Sequence, residues 1–356
     1  MRLLSFYTTY NRKRKHAWWL VICCMLAVTA CKKTNLLVKE EHTGTIRPLG
    51  DFIRNNYDLS LLAAAMEKTG LLDTLNSTGP FTILAPDNSA FNNMGISKPE
   101  DFDRMNKDSL RFMMRYCLLP GRLYTTDFPI QMDMKYTTLS GAITYISTVE
   151  NFLGPNADDR PMTMNGCQVK QLPKRNIPVI NGVVHIISDV VKYRAGTIQD
   201  YLATDTSLAL IVQLLKQTSQ WDALKGKGPL TVFVPNNDVL RSYNLTSDSI
   251  AKINPAHYVQ EAFGIYTLDL TPRHIFSRDL FLLGGSGTSV NYIRLGEVSF
   301  VPDRLGLRVI NRKGLSGQLG PSEIRYTQRG SDVMVDNGVV HQIDNLLIYP
   351  DSLLLK

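Results

Sequence analysis

Gly79-Pro80-Phe81-Thr82-Ile83-Leu84-Ala85-Pro86-Asp87-Asn88 returns 149 residues later as Gly228-Pro229-Leu230-Thr231-Val232-Phe233-Val234-Pro235-Asn236-Asn237. Each copy has a Gly-Pro entry, five β-branched, aromatic or aliphatic-rich positions, a closing proline and short polar side chains. Working outward, the same offset pairs Leu61 with Leu210, Thr69 with Thr218, Asp73 with Asp222 and Leu75 with Leu224. Tyr116 pairs with Tyr266 at an offset of 150, and Asn181-Gly182-Val183-Val184-His185 returns as Asn337-Gly338-Val339-Val340-His341 at 156. The offset grows by only 7 across the unit, so the second copy carries a short insertion. Two copies of one unit of about 150 residues follow, far longer than a solenoid repeat, and each is expected to hold its own core. The chain length of 356 residues agrees with two domains.

Within each copy the local signals are mixed helix and strand. Leu61, Leu62, Ala65 and Met66 mark one face at helical spacing, with Asp58 or Ser60 available to cap that helix. Phe81 to Ala85 reads as a buried strand ended by Pro86, after which Asp87, Asn88 and Ser89 can cap a short helix. A second helix is expected from Lys107 to Leu118, stopped by Pro120-Gly121, with short strands after it. Asn181-Gly182 is expected to supply the two positive-φ positions of a type I′ hairpin turn. The strand beyond it is apolar on both faces and is expected deep inside.

The net charge of +7 comes mainly from the first 30 residues. Five of the 39 basic residues precede Cys31 and no acidic residue does, leaving 34 basic against 32 acidic beyond. That near-balance excludes the basic footprint of a nucleic-acid-binding protein. Arg12-Lys13-Arg14-Lys15 followed by the apolar run from Ala17 to Ala30 reads as a signal peptide, too short to span a bilayer comfortably. Val28-Thr29-Ala30-Cys31 resembles the lipobox of bacterial lipoproteins, and the resemblance implies that Cys31 becomes the lipidated first residue. Two or three acyl chains would anchor it stably. Lys32-Lys33 follow the cysteine, and the absence of Asp there fits the outer membrane. Of the five cysteines only Cys117 and Cys167 remain in the folded part, expected as buried free thiols.

The repeated blocks resemble the fasciclin (FAS1) family. The family's first block stands here as Thr82-Ile83-Leu84-Ala85-Pro86-Asp87-Asn88-Ser89-Ala90-Phe91 and more loosely from Thr231 to Leu240. Its second block stands as Asn181 to Asp189 and as Asn337 to Asp344. The family's central Tyr-His pair is Tyr116-Cys117 in one copy and Tyr266-Thr267 in the other, so the integrin-linked role of that pair in animals does not carry over. The resemblance implies an α+β fold: two tandem FAS1-like modules, each a twisted β-wedge or sandwich flanked by helices. With the signal peptide read at 1–30 and the polar, aperiodic stretch after Cys31 read as a tether at 31–46, the resemblance implies FAS1-like domain 1 at 47–193 and a more divergent FAS1-like domain 2 at 194–350.

No pattern for chemistry emerges. His185 and His341 each sit alone in an apolar strand and are expected as hydrogen-bonded core histidines. Gly284-Gly285-Ser286-Gly287 lacks the lysine of a phosphate loop, and Arg325-Tyr326-Thr327-Gln328-Arg329 is too small for a nucleic-acid patch. The expectation is therefore a non-enzyme with no catalytic residue, metal or cofactor, lipidated at Cys31, that acts as an adhesion or interaction module in the cell envelope. Its partner would be a protein or glycan, with the membrane reached through the lipid. The alternative is an accessory glycan-binding lipoprotein of a polysaccharide-uptake system, using tyrosines such as Tyr124, Tyr136, Tyr145, Tyr292 and Tyr326.

Overall fold

The computed structural model describes residues 46–77, 79–150, 159–257, 274–279, 293–295, 298–302, 306–312, 323–327 and 329–346. Residues 46–356 form one compact unit. Cys31, Tyr266, Thr267, the glycine run at 284–287 and Tyr292 lie outside the described residues.

The first repeat carries helices α1 (Leu49–Arg54), α2 (Ser60–Lys68), α3 (Asn88–Asn93) and α4 (Lys107–Tyr116). Its strands are β1 (Phe81–Pro86), β2 (Leu118–Pro120), β3 (Met134–Thr137), β4 (Ile143–Thr148), β5 (Met162–Met164), β6 (Cys167–Gln168), β7 (Ile177–Val179) and β8 (Gly182–Ile187). They form two sheets, ordered β2-β1-β8-β7 and β3-β4-β5-β6. Beyond β9 (Lys192–Tyr193), the second repeat has α5 (Ile198–Thr204), α6 (Ala209–Gln217), α7 (Asn237–Ser242) and α8 (Ser247–Ala251). Its strands are β10 (Leu230–Pro235), β11 (Ile293–Leu295), β12 (Val298–Pro302), β13 (Gly306–Arg312), β14 (Glu323–Arg325), β15 (Val333–Val335) and β16 (Gly338–Ile343). These give β10-β16-β15-β9 and β11-β12-β13-β14. The fold is α+β.

The apolar pattern explains the layers. β1 and β8 run parallel from Phe81 opposite Gly182, and β10 and β16 run parallel from Leu230 opposite Gly338. Every residue of β8 is buried, as a strand apolar on both faces must be. Strand alternation sends Ile83 and Ala85 to a cluster with Leu61, Leu62, Ala65 and Met66 of α2, and Leu84 to a second cluster with Tyr116 and Ile146. Each fully buried Leu, Ile or Met side chain among them contributes roughly 1.5–3 kcal/mol. A separate cluster in the second repeat joins Ile198, Leu214, Val232 and Val340.

Two local expectations need correction. The hairpin exists, but its two-residue loop is Ile180-Asn181, because Val179 is already opposite Gly182. Neither Asn181 nor Gly182 takes a positive φ, so the turn is not type I′. Asn181 is instead a hub: its Oδ1 accepts Leu49 N–H (2.8 Å), and its Nδ2 donates to Leu75 O (2.8 Å) and Ser77 O (2.7 Å). Asn337 repeats this with Ile198 N–H, Leu224 O and Gly226 O. The glycine serves close approach, since a Cβ on Gly182 would stand 2.1 Å from Phe81 O, and on Gly338 2.0 Å from Leu230 O. The second correction concerns α2, which neither Asp58 nor Ser60 caps. Leu61 N–H is taken by Asn88 Oδ1 at 3.0 Å, and Leu210 N–H by Asn237 Oδ1 at 2.9 Å. Asp87 does cap α3, accepting Ala90 N–H at 3.1 Å.

No loose linker separates the repeats. Val190 and Val191 lie in first-repeat clusters, and the next two residues form β9, parallel to Val333 and Met334. Arg194 N donates to Met334 O (2.9 Å), Asp336 N donates to Gly196 O (2.9 Å), and Tyr193 donates its hydroxyl to Asp336. A second tie comes from residues 274–279. Asp279 accepts from Thr163 Oγ1 (2.6 Å) and Ser147 Oγ (3.1 Å), reaching into the β4–β5 face of the other repeat. His274 N donates to Asp133 Oδ2 (3.0 Å), its ring lies 3.8 Å from that of Tyr145, and Phe276 packs with Met334, Val339, Tyr145 and Tyr193.

Candidate functional site

A cleft of about 680 Å³ opens where the repeats meet. One wall is a face of α4, which presents Asp108, Ser109, Phe112, Met113 and Tyr116 at helical spacing. Asn106 starts that helix by accepting Asp108 N–H (2.9 Å) and Ser109 N–H (3.0 Å). Met94 and Met105 extend the wall, the connecting segment 189–195 forms the floor, and Tyr201, Arg329 and Val333 close the far side. Neither repeat makes this site alone.

Three rings meet where the α4 wall joins the floor. The centroids of Phe112, Tyr116 and Tyr193 are 6.0, 5.4 and 5.2 Å apart, and the rings lie within 22–27° of parallel. Three nearly equal separations mean that the centroids form a triangle, so the rings are grouped and not piled in a single column. Tyr116 is buried, while Phe112 and Tyr193 are half-buried. Burial raises the Tyr116 phenol well above its usual range, opposed by hydrogen bonds from Asn165 and Thr144. Burial and then the Asp336 hydrogen bond and charge do the same for Tyr193. Both stay neutral phenols.

Tyr116 is also held rigidly. Its hydroxyl donates to Ile143 O (2.6 Å) and accepts from Asn165 Nδ2 (2.8 Å), whose Oδ1 in turn accepts from Thr144 Oγ1 (3.0 Å) and Tyr145 N–H (2.8 Å). Cys117, next to it, is fully buried with its thiol on Met113 O at 3.4 Å. The position that holds histidine in the fasciclin pattern therefore points inward here. Burial pushes the Cys117 thiol up to about 12 and raises Cys167 also; both thiols are free.

The charges at the rim are unequal. Asp189 is occupied by Ser188 Oγ (2.7 Å) and Arg278 (3.5 Å), and Lys192 Nζ donates to Ser331 O (2.8 Å). Arg194 and Arg329 are exposed and have no carboxylate partner among the described residues; Arg194 makes one 3.3 Å bond to Tyr193 O. Arg329 crosses from the second repeat to the first, its guanidinium lying where a Cβ on Gly95 would come within 2.6 Å.

The two histidines do not enter this cleft. Both are fully buried and both staple a loop to the inner strand. His185 Nδ1 accepts Asn176 N–H (3.3 Å) and its Nε2 bonds Leu123 O (2.8 Å); His341 does the same with Asp332 N–H (3.3 Å) and Ile275 O (2.8 Å). Burial lowers His185 to about 4, and burial also lowers His341. Among the described residues, no group of three His, Cys, Asp or Glu side chains could hold a metal ion, and no helix is long and apolar enough to cross a membrane.

The tyrosines singled out for glycan binding do not converge. Tyr136 packs edge-on against Phe128 (5.4 Å), Tyr145 covers His274, and Tyr326 lies against Phe233 and His341. The cleft uses Tyr193 and Tyr201 instead, which sequence reasoning missed. Tyr193 sits immediately before the expected boundary between the modules, where an aromatic residue next to two arginine-lysine positions was the available signal.

Comparison with known proteins gives one family. The Fasciclin domain model matches residues 57–192. Human stabilin-1 is 23% identical over 352 residues, covering 92% of this chain and 12% of stabilin-1. Human periostin is 27% identical over 201 residues, covering 56% of this chain and 22% of periostin. The chain thus spans a small part of these relatives. A solved FAS1 domain pair from the insect cell adhesion molecule Fasciclin I is 18% identical, with a TM-score of 0.34 over 83% of this chain and 97% of the pair.

Proposed function

We propose a role for this chain from the premise that it belongs to the fasciclin family, through a domain at residues 57–192. Fasciclin domains are adhesion-related, non-catalytic modules. In our reading this protein is a non-catalytic adhesion or interaction protein of the cell envelope. Its two modules, 47–193 and 194–350, are held off the outer membrane by the tether 31–46 and a lipid on Cys31. The partner engages the cleft at the joint. One observation carries this: a 680 Å³ concavity built jointly by both modules, with three aromatic rings where wall and floor meet. Aromatic anchors beside arginines are where interface energy concentrates.

Ala195 is exposed at the cleft edge, so Ala195→Trp fills the cleft without entering a core. Beads carrying residues 46–356 are mixed with envelope fragments of a bacterium expressing the chain. Retention by the native sequence that falls at least tenfold with Ala195→Trp supports the reading. Equal retention by both refutes it. For the anchor, Cys31→Ser is expected to release the protein from the membrane fraction, and unchanged membrane association would overturn the lipid assignment.

A further inference from the structure

The cleft's chemistry can be taken further, resting on the reading of the joint as a binding site. Its lining is apolar and soft: Met94, Met105 and Met113 on one wall, Val190 and Val191 on the floor and Val333 on the far side. Thioethers adapt to irregular apolar shapes and offer a sugar little to hydrogen-bond. Near-parallel rings gather where wall and floor meet, which suits a flat or extended apolar body over a globular one. The volume falls within the range of small-molecule sites.

The rim adds a sign. Arg194 stands on the floor segment and Arg329 on the far wall, and neither has a carboxylate partner among the described residues. Of the two acidic groups, Asp189 is already held by Arg278, which leaves Asp108 on the α4 wall as the opposing charge. A planar guanidinium binds carboxylate or sulfonate oxygens through two parallel N–H donors. We infer that the inter-module cleft binds a small amphipathic acid, its apolar body on Phe112 and Tyr193 among the methionines and valines, its anionic group held by Arg194 and Arg329. Because the two arginines come from the connecting segment and the second module, and the methionines from the first, occupancy requires the joint as it is built.

The probe pair is 1-anilinonaphthalene-8-sulfonate and its neutral counterpart N-phenyl-1-naphthylamine, titrated into residues 46–356 by fluorescence. This unit contains every hydrophobic cluster among the described residues. Saturable one-to-one binding of the sulfonate is expected. Arg194→Gln and Arg329→Gln should each weaken it about tenfold, the loss of a charge-assisted hydrogen bond, while the neutral probe changes less than twofold. Ala195→Trp should abolish both, with circular dichroism and melting temperature unchanged in every variant. Non-saturable sulfonate binding overturns the inference. So does a sulfonate affinity indifferent to both arginine substitutions, or a neutral probe weakened as much as the anionic one. If these tests fail while Ala195→Trp still abolishes bead retention, the acid assignment falls and the adhesive reading stands. If retention is also unaffected, both fall.

Discussion

Asp279 is the group whose replacement tests the joint most directly. Asp279 is 3% exposed, and its hydrogen bonds come from two hydroxyls, Thr163 and Ser147, with no cation in contact among the described residues. Burial raises it to about 7, opposed by those hydroxyls and reinforced by the charges of Asp332 and Asp133. The folded state therefore holds a proton between pH 3.8 and about 7 that the unfolded chain gives up, so this group's contribution to folding stability falls as pH rises through that window. At 1.36 kcal/mol per pH unit, the deficit at pH 8 is at most about 4 kcal/mol. Asp279→Asn removes the charge and keeps the shape. The amide oxygen still accepts from Thr163, and the amide nitrogen can donate to Ser147 Oγ, whose second lone pair is free beside the one taken by Asp133 N–H at 3.0 Å. The difference in stability between the two chains isolates this group, because the histidines are present in both. Urea unfolding of residues 46–356, followed by far-ultraviolet circular dichroism from pH 4 to 8, should show equal midpoints near pH 4. The variant should then gain steadily, by up to about 4 kcal/mol at pH 8. A difference that does not change with pH, or a variant less stable at pH 8, would refute the account of Asp279 as a buried, unpaired acid.

Four further outcomes follow from the packing. Gly182→Ala should cost several kcal/mol or prevent folding, because its Cβ would meet Phe81 O at 2.1 Å; Gly70→Ala, left-handed but in open space, should cost about 1–2 kcal/mol in thermal melts. Tyr116→Phe should lower stability by about 1–3 kcal/mol, since Ile143 O and the Asn165 amide both lose a buried partner. His185 is neutral when folded, near 4 against an ordinary 6.5, so the unfolded chain gains protons as pH falls and this group's own contribution should drop by about 3 kcal/mol from pH 6.5 to 4; in urea titrations the stability difference between the native chain and His185→Gln should change by that amount across the window, whatever Asp279 and His341 add to both. Cys117 and Cys167, buried with raised thiols, should react with a thiol-specific disulfide reagent only after denaturation, and rapid labelling of the native protein would contradict their placement.

How far the sequence carried the fold depended on whether a residue's task is local. Phe81–Pro86 and its copy at Leu230–Pro235 announce themselves, because alternation and β-branching are properties of six consecutive residues. The Asp87 cap is equally local, an oxygen three residues from the N–H it accepts. Asn181-Gly182 misled because it is a strong turn signal in isolation. Here the asparagine serves groups 104 to 132 residues away, and the glycine serves a parallel strand, so long-range demand overrode local preference. The Asn88 amide oxygen, placed on Leu61 N–H 27 residues earlier, is the same case in miniature.

The joint lay beyond such reading for a related reason, and the repeat itself shows why. Asp127 and Asp279 stand at equivalent places: each N–H donates to the carbonyl three residues back, Tyr124 O at 2.9 Å and Phe276 O at 3.1 Å, and the loops are stapled by His185 on Leu123 O and His341 on Ile275 O. In the first copy the carboxylate turns back on its own loop and accepts Tyr124 N–H at 2.8 Å. In the second copy the same carboxylate leaves its loop and enters the other repeat's sheet through Thr163 and Ser147. An alignment of the copies equates the two acids, and only their surroundings divide them. What fixes the cleft is thus a departure from internal symmetry: a loop that closes on itself once is used the second time to tie one repeat to the other, beside a cleft lined by the α4 face, Tyr193 and Arg329.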